Sequence, residues 1–216
     1  RAFGIETDAQ IKETFGEDAS ILATLDKDVS HNRATALVEL YKKLRPGEPA
    51  TTESAIAHID NLFFNERTYD LTRVGRYKYN KKMALASRIV GHELSRPVVA
   101  PLTGEVIADI GTVVSAAQAK EIENSGVYEV YLKMADETEI RVFSNGMVDM
   151  QNFVSFDVRA LGVNEWVKFS VLQEILEQCG EDEAALREEI RARLPELIPM
   201  TVCNEDIFAS VNYFIG

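Results

Sequence analysis

Up to Arg88 the apolar positions recur at three- and four-residue steps, and a capping residue stands where most of these runs begin. Thr7 or Asp8 opens a short helix carrying Ile11 and Phe15 that Gly16 ends, and Asp18 opens a second carrying Ile21, Leu22 and Leu25. Asn32 is placed to cap a longer helix with Ala36, Leu37, Leu40, Tyr41 and Leu44 on one face. Arg45-Pro46-Gly47-Glu48-Pro49 must break it, because Pro46 disfavours helix at the residue before it and Gly47 admits positive φ. A further helix opens at Thr51 or Thr52, buries Ile56, Ile59 and Phe63, and ends near Asn65. Asp70 is expected to cap the next, from Leu71 to about Ala86, despite Gly75 inside it.

From Ile89 to Ser144 the period shortens from helical to two. Ile89-Val90, Pro97-Val98-Val99, Val106-Ile107-Ala108, Gly111-Thr112-Val113-Val114, Tyr128 to Leu132 and Glu139 to Phe143 are β-branched or aromatic runs, several alternating with polar residues. A helical interlude from Ala116 to Ser125, closed by Gly126, interrupts them, and Asn145-Gly146 is a strong turn signal. This pattern predicts a β-rich module of barrel or sandwich type. Helical period returns in Trp166 to Cys179, Glu183 to Leu194 and Asp206 to Ile215. The expected fold class is α+β, a helical domain over 1–87 and 201–216, interrupted by a β-rich module over 88–148 and a mainly helical part over 149–200.

The composition is that of an ordinary globular protein, with 46% hydrophobic and 27% charged residues. No run approaches the roughly 20 apolar residues of a membrane span, so a soluble, cytoplasmic protein without a membrane partner is expected. The start at Arg1-Ala2-Phe3-Gly4, without Met or signal sequence, suggests a piece of a longer polypeptide. Cys179 and Cys203 lack the spacing of a zinc site or disulfide framework, and His31, His58 and His92 lie far from them. No phosphate-cradling glycine loop or nucleophile elbow occurs, so neither a catalytic centre, a metal site nor a cofactor is expected. The carboxylates of 181–189 interleave with Arg187, Arg191 and Arg193 as on a solvated helix face.

Charge is where the pattern becomes specific. The chain carries 23 Lys+Arg against 35 Asp+Glu, a formal charge of −12, which argues against a general binder of polyanions. Yet between Asn65 and Arg96 the sign reverses, with Arg67, Arg73, Arg76, Lys78, Lys81, Lys82, Arg88 and Arg96 against Glu66, Asp70 and Glu93. On one helix Arg73, Arg76, Tyr77 and Lys81 share a face and Lys78 and Lys82 flank it, interleaved with Tyr69, Tyr77 and Tyr79. Either this strip contacts nucleic-acid phosphates, or it is a solvated helix that pairs with the protein's own acids.

Three ordered segments carry a family resemblance: Ala36 through Pro49 (ALVELYKKLRPGEP), Asn61-Leu62-Phe63-Phe64 with Arg67-Thr68-Tyr69-Asp70-Leu71, and Val74 through Lys82 (VGRYKYNKK). Together they resemble the bacterial DNA-directed RNA polymerase β subunit, in the region of its second lobe, and Asp206-Ile207 and Tyr213 resemble the helix before that subunit's next core segment. The resemblance covers Arg1 to about Met83 and returns at Asn204 to Gly216. About Arg88 to Met200 is then a domain-sized, Firmicutes-type insertion, whose β-rich half resembles the barrel-sandwich hybrid modules of polymerase large subunits and which is expected to project outward.

The resemblance implies a non-catalytic lobe on the wall of the main cleft of a nucleotidyltransferase, with catalysis and its magnesium in other segments. It implies DNA, the β′ and α subunits and the σ factor as partners. Arg73, Arg76, Lys78, Lys81 and Lys82 are the expected phosphate contacts. The alternative is a protein-interaction module whose insertion docks a σ factor or a transcription regulator, with Trp166 and Phe169 as anchors; burial of both at helical spacing is the competing explanation.

Overall fold

The computed structural model describes residues 1–215, and by contacts the chain divides into two units. The first comprises residues 1–70 with 201–204 and 215. It is built on α1 (Asp8–Phe15), α2 (Ala19–Lys27), α3 (Arg33–Leu44) and α4 (Thr52–Ile59). Thr7, Asn32 and Thr51 each accept from the third residue of their helix, whose side chain reaches back to the cap backbone, so the orphan amides of α1, α3 and α4 are satisfied locally. Leu37 and Tyr41 of α3 pack with Ala55 and Ile59 of α4 and with Ala2, while Ile56 faces solvent. After Ile59 the helix widens into one π-type turn, Asp60–Phe64, which sets Phe63 and Phe64 edge-on to Phe3 at 6.1 and 6.2 Å between centroids.

The second unit comprises residues 71–200 with 205–214. It opens with α5 (Thr72–Met83) and α6 (Ala86–Ile89). The position that precedes α5 is Leu71 rather than Asp70, its side chain makes no cap bond, and the Thr72 hydroxyl accepts from the Gly75 amide at 3.4 Å. A three-stranded antiparallel sheet follows, in the order β1 (Glu93–Leu94), β4 (Glu129–Lys133), β5 (Glu139–Phe143), with β2 (Val98–Val99) and β3 (Val106–Ala108) forming a separate pair. Val130 and Leu132 of β4 point inward against α7 (Ala116–Asn124), and Glu129 and Tyr131 alternate outward. Leu85, Ile89, Leu94, Val114, Ala119, Ile122 and Val142 complete this core.

Beyond it, β6 (Met147–Val148) pairs with β7 (Val167–Lys168), and α8 (Phe169–Cys179), α9 (Glu183–Ala192) and α10 (Leu194–Leu197) close over a second core around Met150, Leu172, Ile175, Ile190 and Leu197. The helix α11 (Asn204–Ile215) ends the chain.

The class is α+β, as expected, but the strands form three small sheets and none closes into a barrel among the described residues. Runs of two to five residues are too short to curl around a common axis. Asn145-Gly146 does not turn a hairpin either: β5 pairs with β4 and β6 with β7, so the turn hands the chain from one sheet to another. The helix α5, expected within the first helical domain, packs with the second unit.

Each unit carries one testable position. In the first, burial would raise the Asp28 carboxyl, but bonds from Arg1 and Ser30 outweigh it and hold its pKa at about 2 against an ordinary 3.8. This stabilisation is complete above about pH 4 and is lost as pH falls towards 2, so acid unfolding followed by circular dichroism should show a component in that window that Asp28→Asn removes. In the second, Gly126 has φ +80° and an added Cβ would stand 2.6 Å from two ring carbons of Phe169. Gly126→Ala should destabilise the protein by about 1–3 kcal/mol, read from urea unfolding.

Candidate nucleic-acid interface

The helix α5 has no apolar stripe. Its inward line is Arg76, Asn80 and Met83, at steps of four and three residues, and its other residues carry most of the charge. A helix with such an inner face can pack only if polar partners meet it, because an unpaired buried charge is costly. Those partners come from α11 and from the residues after β5. Arg76 is 0% exposed; its Nη1 donates to both carboxylate oxygens of Asp206, at 2.9 and 2.8 Å, and its Nε donates to the Pro199 carbonyl at 3.1 Å. Asn145 Nδ2 donates to Asp206 Oδ1 at 2.8 Å and to Asn80 Oδ1 at 2.9 Å. The Tyr79 hydroxyl donates to the Asp206 carbonyl at 2.7 Å and also meets Ser210 Oγ, and burial pushes that phenol's pKa up.

Arg88 extends the network. It donates to the Phe143 carbonyl at 2.8 Å and to Asn212 Oδ1 at 2.9 Å, and Asn212 Nδ2 donates to the Arg141 carbonyl at 2.7 Å. Burial lowers the Arg88 guanidinium pKa, and the nearby Tyr213 partly opposes this.

The expected phosphate contacts therefore divide. Arg76 leaves the strip altogether: its charge faces inward and is matched by Asp206. Arg73 is exposed but ion-paired with Glu165, and that bond is the main reason its pKa is raised. Lys78, Lys81 and Lys82 are exposed and join no ion pair among the described residues; Lys82 Nζ lies 5.0 Å from the Tyr213 ring centroid.

The two expected protein anchors also part. Phe169 is buried in the second core, against Gly126 and 5.3 Å from Phe153 between centroids, so it is unavailable to a partner. Trp166 does not begin the helix expected there; it precedes β7, whose Val167 is fully buried opposite Val148. Trp166 and the Arg73, Tyr77 and Lys81 face of α5 line one cleft of about 1080 Å³, with Lys120 Nζ 5.6 Å from the indole centroid.

The polar network was missed from sequence, although one sign of it was present. Arg76 and Asn80 occupy the inward steps of a helix that has no aliphatic residues to put there, and buried partners follow from that pattern.

The sequence that builds this buried ion pair has relatives of a known class. The family model described as RNA polymerase Rpb2, domain 2, matches residues 1–90. Across its whole length the chain is 45% identical to the DNA-directed RNA polymerase subunit beta of Clostridium botulinum (strain Loch Maree / Type A3), 44% to that of Clostridium beijerinckii and 43% to that of Clostridium acetobutylicum. The chain belongs to the bacterial RNA polymerase β-subunit family. It spans 17% of the length of each of these relatives. The match includes residues 88–200, so these relatives carry a counterpart of that segment as well.

The buried pair sets a clear expectation. Asp206→Ala strands the Arg76 charge and should cost about 3–5 kcal/mol in urea unfolding, whereas Lys78→Ala should stay within about 0.5 kcal/mol.

Proposed function

We propose that this chain serves in DNA-templated transcription as a non-catalytic lobe of the polymerase β subunit, with Lys78, Lys81 and Lys82 contacting the phosphates of DNA in the main cleft. The observation that carries this reading is the division of α5. Its one buried cation is neutralised from within, and three lysines remain outside without acidic partners. A phosphate backbone is the acceptor that exposed, unpaired lysines in a row along a helix best fit, through displacement of its condensed counterions. Arg73, tethered to Glu165, positions itself beside that row rather than joining it.

The β′ and α subunits and the σ factor are the partners of this reading, the cytoplasm its compartment and nucleotidyl transfer the activity of the assembly. The reading assigns metal and substrate chemistry to segments outside this chain. Docking of a regulator through the insertion loses its Phe169 anchor to the core, and no observation favours it over DNA contact.

Lys78→Ala/Lys81→Ala/Lys82→Ala in the assembled polymerase should weaken DNA binding. It should also flatten the dependence of log affinity on log salt by about 0.9 per lost duplex contact. An unchanged slope in a titration between low and physiological salt would remove DNA contact from these lysines.

A further inference from the structure

The cleft beside α5 has properties that a row of phosphate contacts does not need. Two aromatic side chains of different exposure line it: Tyr77, 62% exposed on α5, and Trp166, half-buried next to the pairing of Val167 with Val148. Two of its cations are already committed, Arg73 to Glu165 and Lys120 to Glu123. The other two, Lys81 and Arg159, are exposed and join no ion pair among the described residues.

The remaining carboxylates of the lining, Asp149 and Asp157, cap short helical turns through the amides of Gln151 and Arg159, and each keeps an oxygen free. Four cations and four carboxylates thus balance formally. A duplex backbone, a dense and uniform polyanion, suits such a lining poorly. One phosphate attached to one aromatic base suits it well. The base has a π-face for Trp166 and Tyr77, the phosphate meets Lys81 and Arg159, and exocyclic amino groups on the base edge can donate to Asp149 or Asp157.

We propose that this cleft seats a single unpaired nucleotide, its base stacked on Trp166 and Tyr77 and its phosphate held by Lys81 and Arg159. The proposal rests on the nucleic-acid reading above and extends it to residues of the insertion. Two sources supply this chemistry, a single-stranded segment of nucleic acid and a free nucleotide, and the test separates them.

The assembled polymerase is irradiated with a single-stranded oligonucleotide carrying 5-iodocytosine, whose amino group can meet Asp149 or Asp157, and separately with 5-iodocytidine monophosphate, and crosslinked peptides are mapped by mass spectrometry. The expected result is a crosslink at Trp166 or Tyr77. Trp166→Phe should retain it, while Trp166→Ala and the pair Lys81→Ala/Arg159→Ala should each reduce it roughly fivefold or more. A crosslink with the strand alone assigns a single-stranded segment, and one with the monophosphate assigns a free nucleotide. No crosslink at either residue with either probe, or a yield indifferent to Lys81→Ala/Arg159→Ala, overturns the proposal. Lys78→Ala/Lys82→Ala tests the DNA reading separately. A flattened salt slope in that variant without a cleft crosslink rejects the cleft alone, and a crosslink with an unchanged slope rejects the lysine row alone.

Discussion

The ion pair between Arg76 and Asp206 constrains the rest of the second unit. Two charges at 0% and 2% exposure persist only if their remaining hydrogen-bonding capacity is also met. Pro199 meets the guanidinium, Asn145 meets the carboxylate, and Asn80 meets Asn145. Weighed against an apolar replacement such a pair adds little net stability. Its effect is on register. A guanidinium that spans both oxygens of one carboxylate admits few rotations of α5 against α11, and Asn145 brings the junction between two sheets to the same point.

That register fixes what α5 shows to its surroundings. With Arg76, Asn80 and Met83 inward, the helical period puts Lys78 and Lys82 on one outer flank, Arg73 and Tyr77 on the other and Lys81 between them. One flank presents lysines, and the other lines a cleft that Trp166 and Arg159 complete. Arg73, Tyr77 and Lys81 stand 85 or more residues from the tryptophan along the chain, yet all four line one cleft, with Trp166 directly before the pairing of β6 with β7. What this unit exposes therefore depends on an interaction buried beneath its surface.

Much of the local structure was legible in the sequence. The capping boxes at Thr7, Asn32 and Thr51 are short-range geometry, and the alternation of Val130, Tyr131 and Leu132 reports a half-buried strand directly. Other features were misread where long-range partners decide. Asp70 has the chemistry of a cap, but α5 begins at Thr72 with Leu71 in the cap position. Trp166 fits a helical period, yet pairing of the adjacent Val167 with Val148 draws the segment into a strand. Asn145 reads as a turn residue, but its amide joins a buried network. Strand content pointed to a barrel or a sandwich, while the short strands form three small sheets and no closed barrel among the described residues.

The sequence by itself determined the α+β class, most of the helices with the caps at Thr7, Asn32 and Thr51, the reversal of charge between Asn65 and Arg96, and the resemblance to the polymerase β subunit. All of these rest on neighbours within a few residues or on an ordered string of side chains. Which cations face outward was decided only by tertiary structure, since Arg76 and Lys78 are both basic residues of one helix and differ only in what lies across from them. The partner that removes Arg76 from the surface, Asp206, stands 130 residues further along the chain. Spacing along a single helix carries no record of such a partner, because the cost of burying a charge is offset in space rather than in sequence.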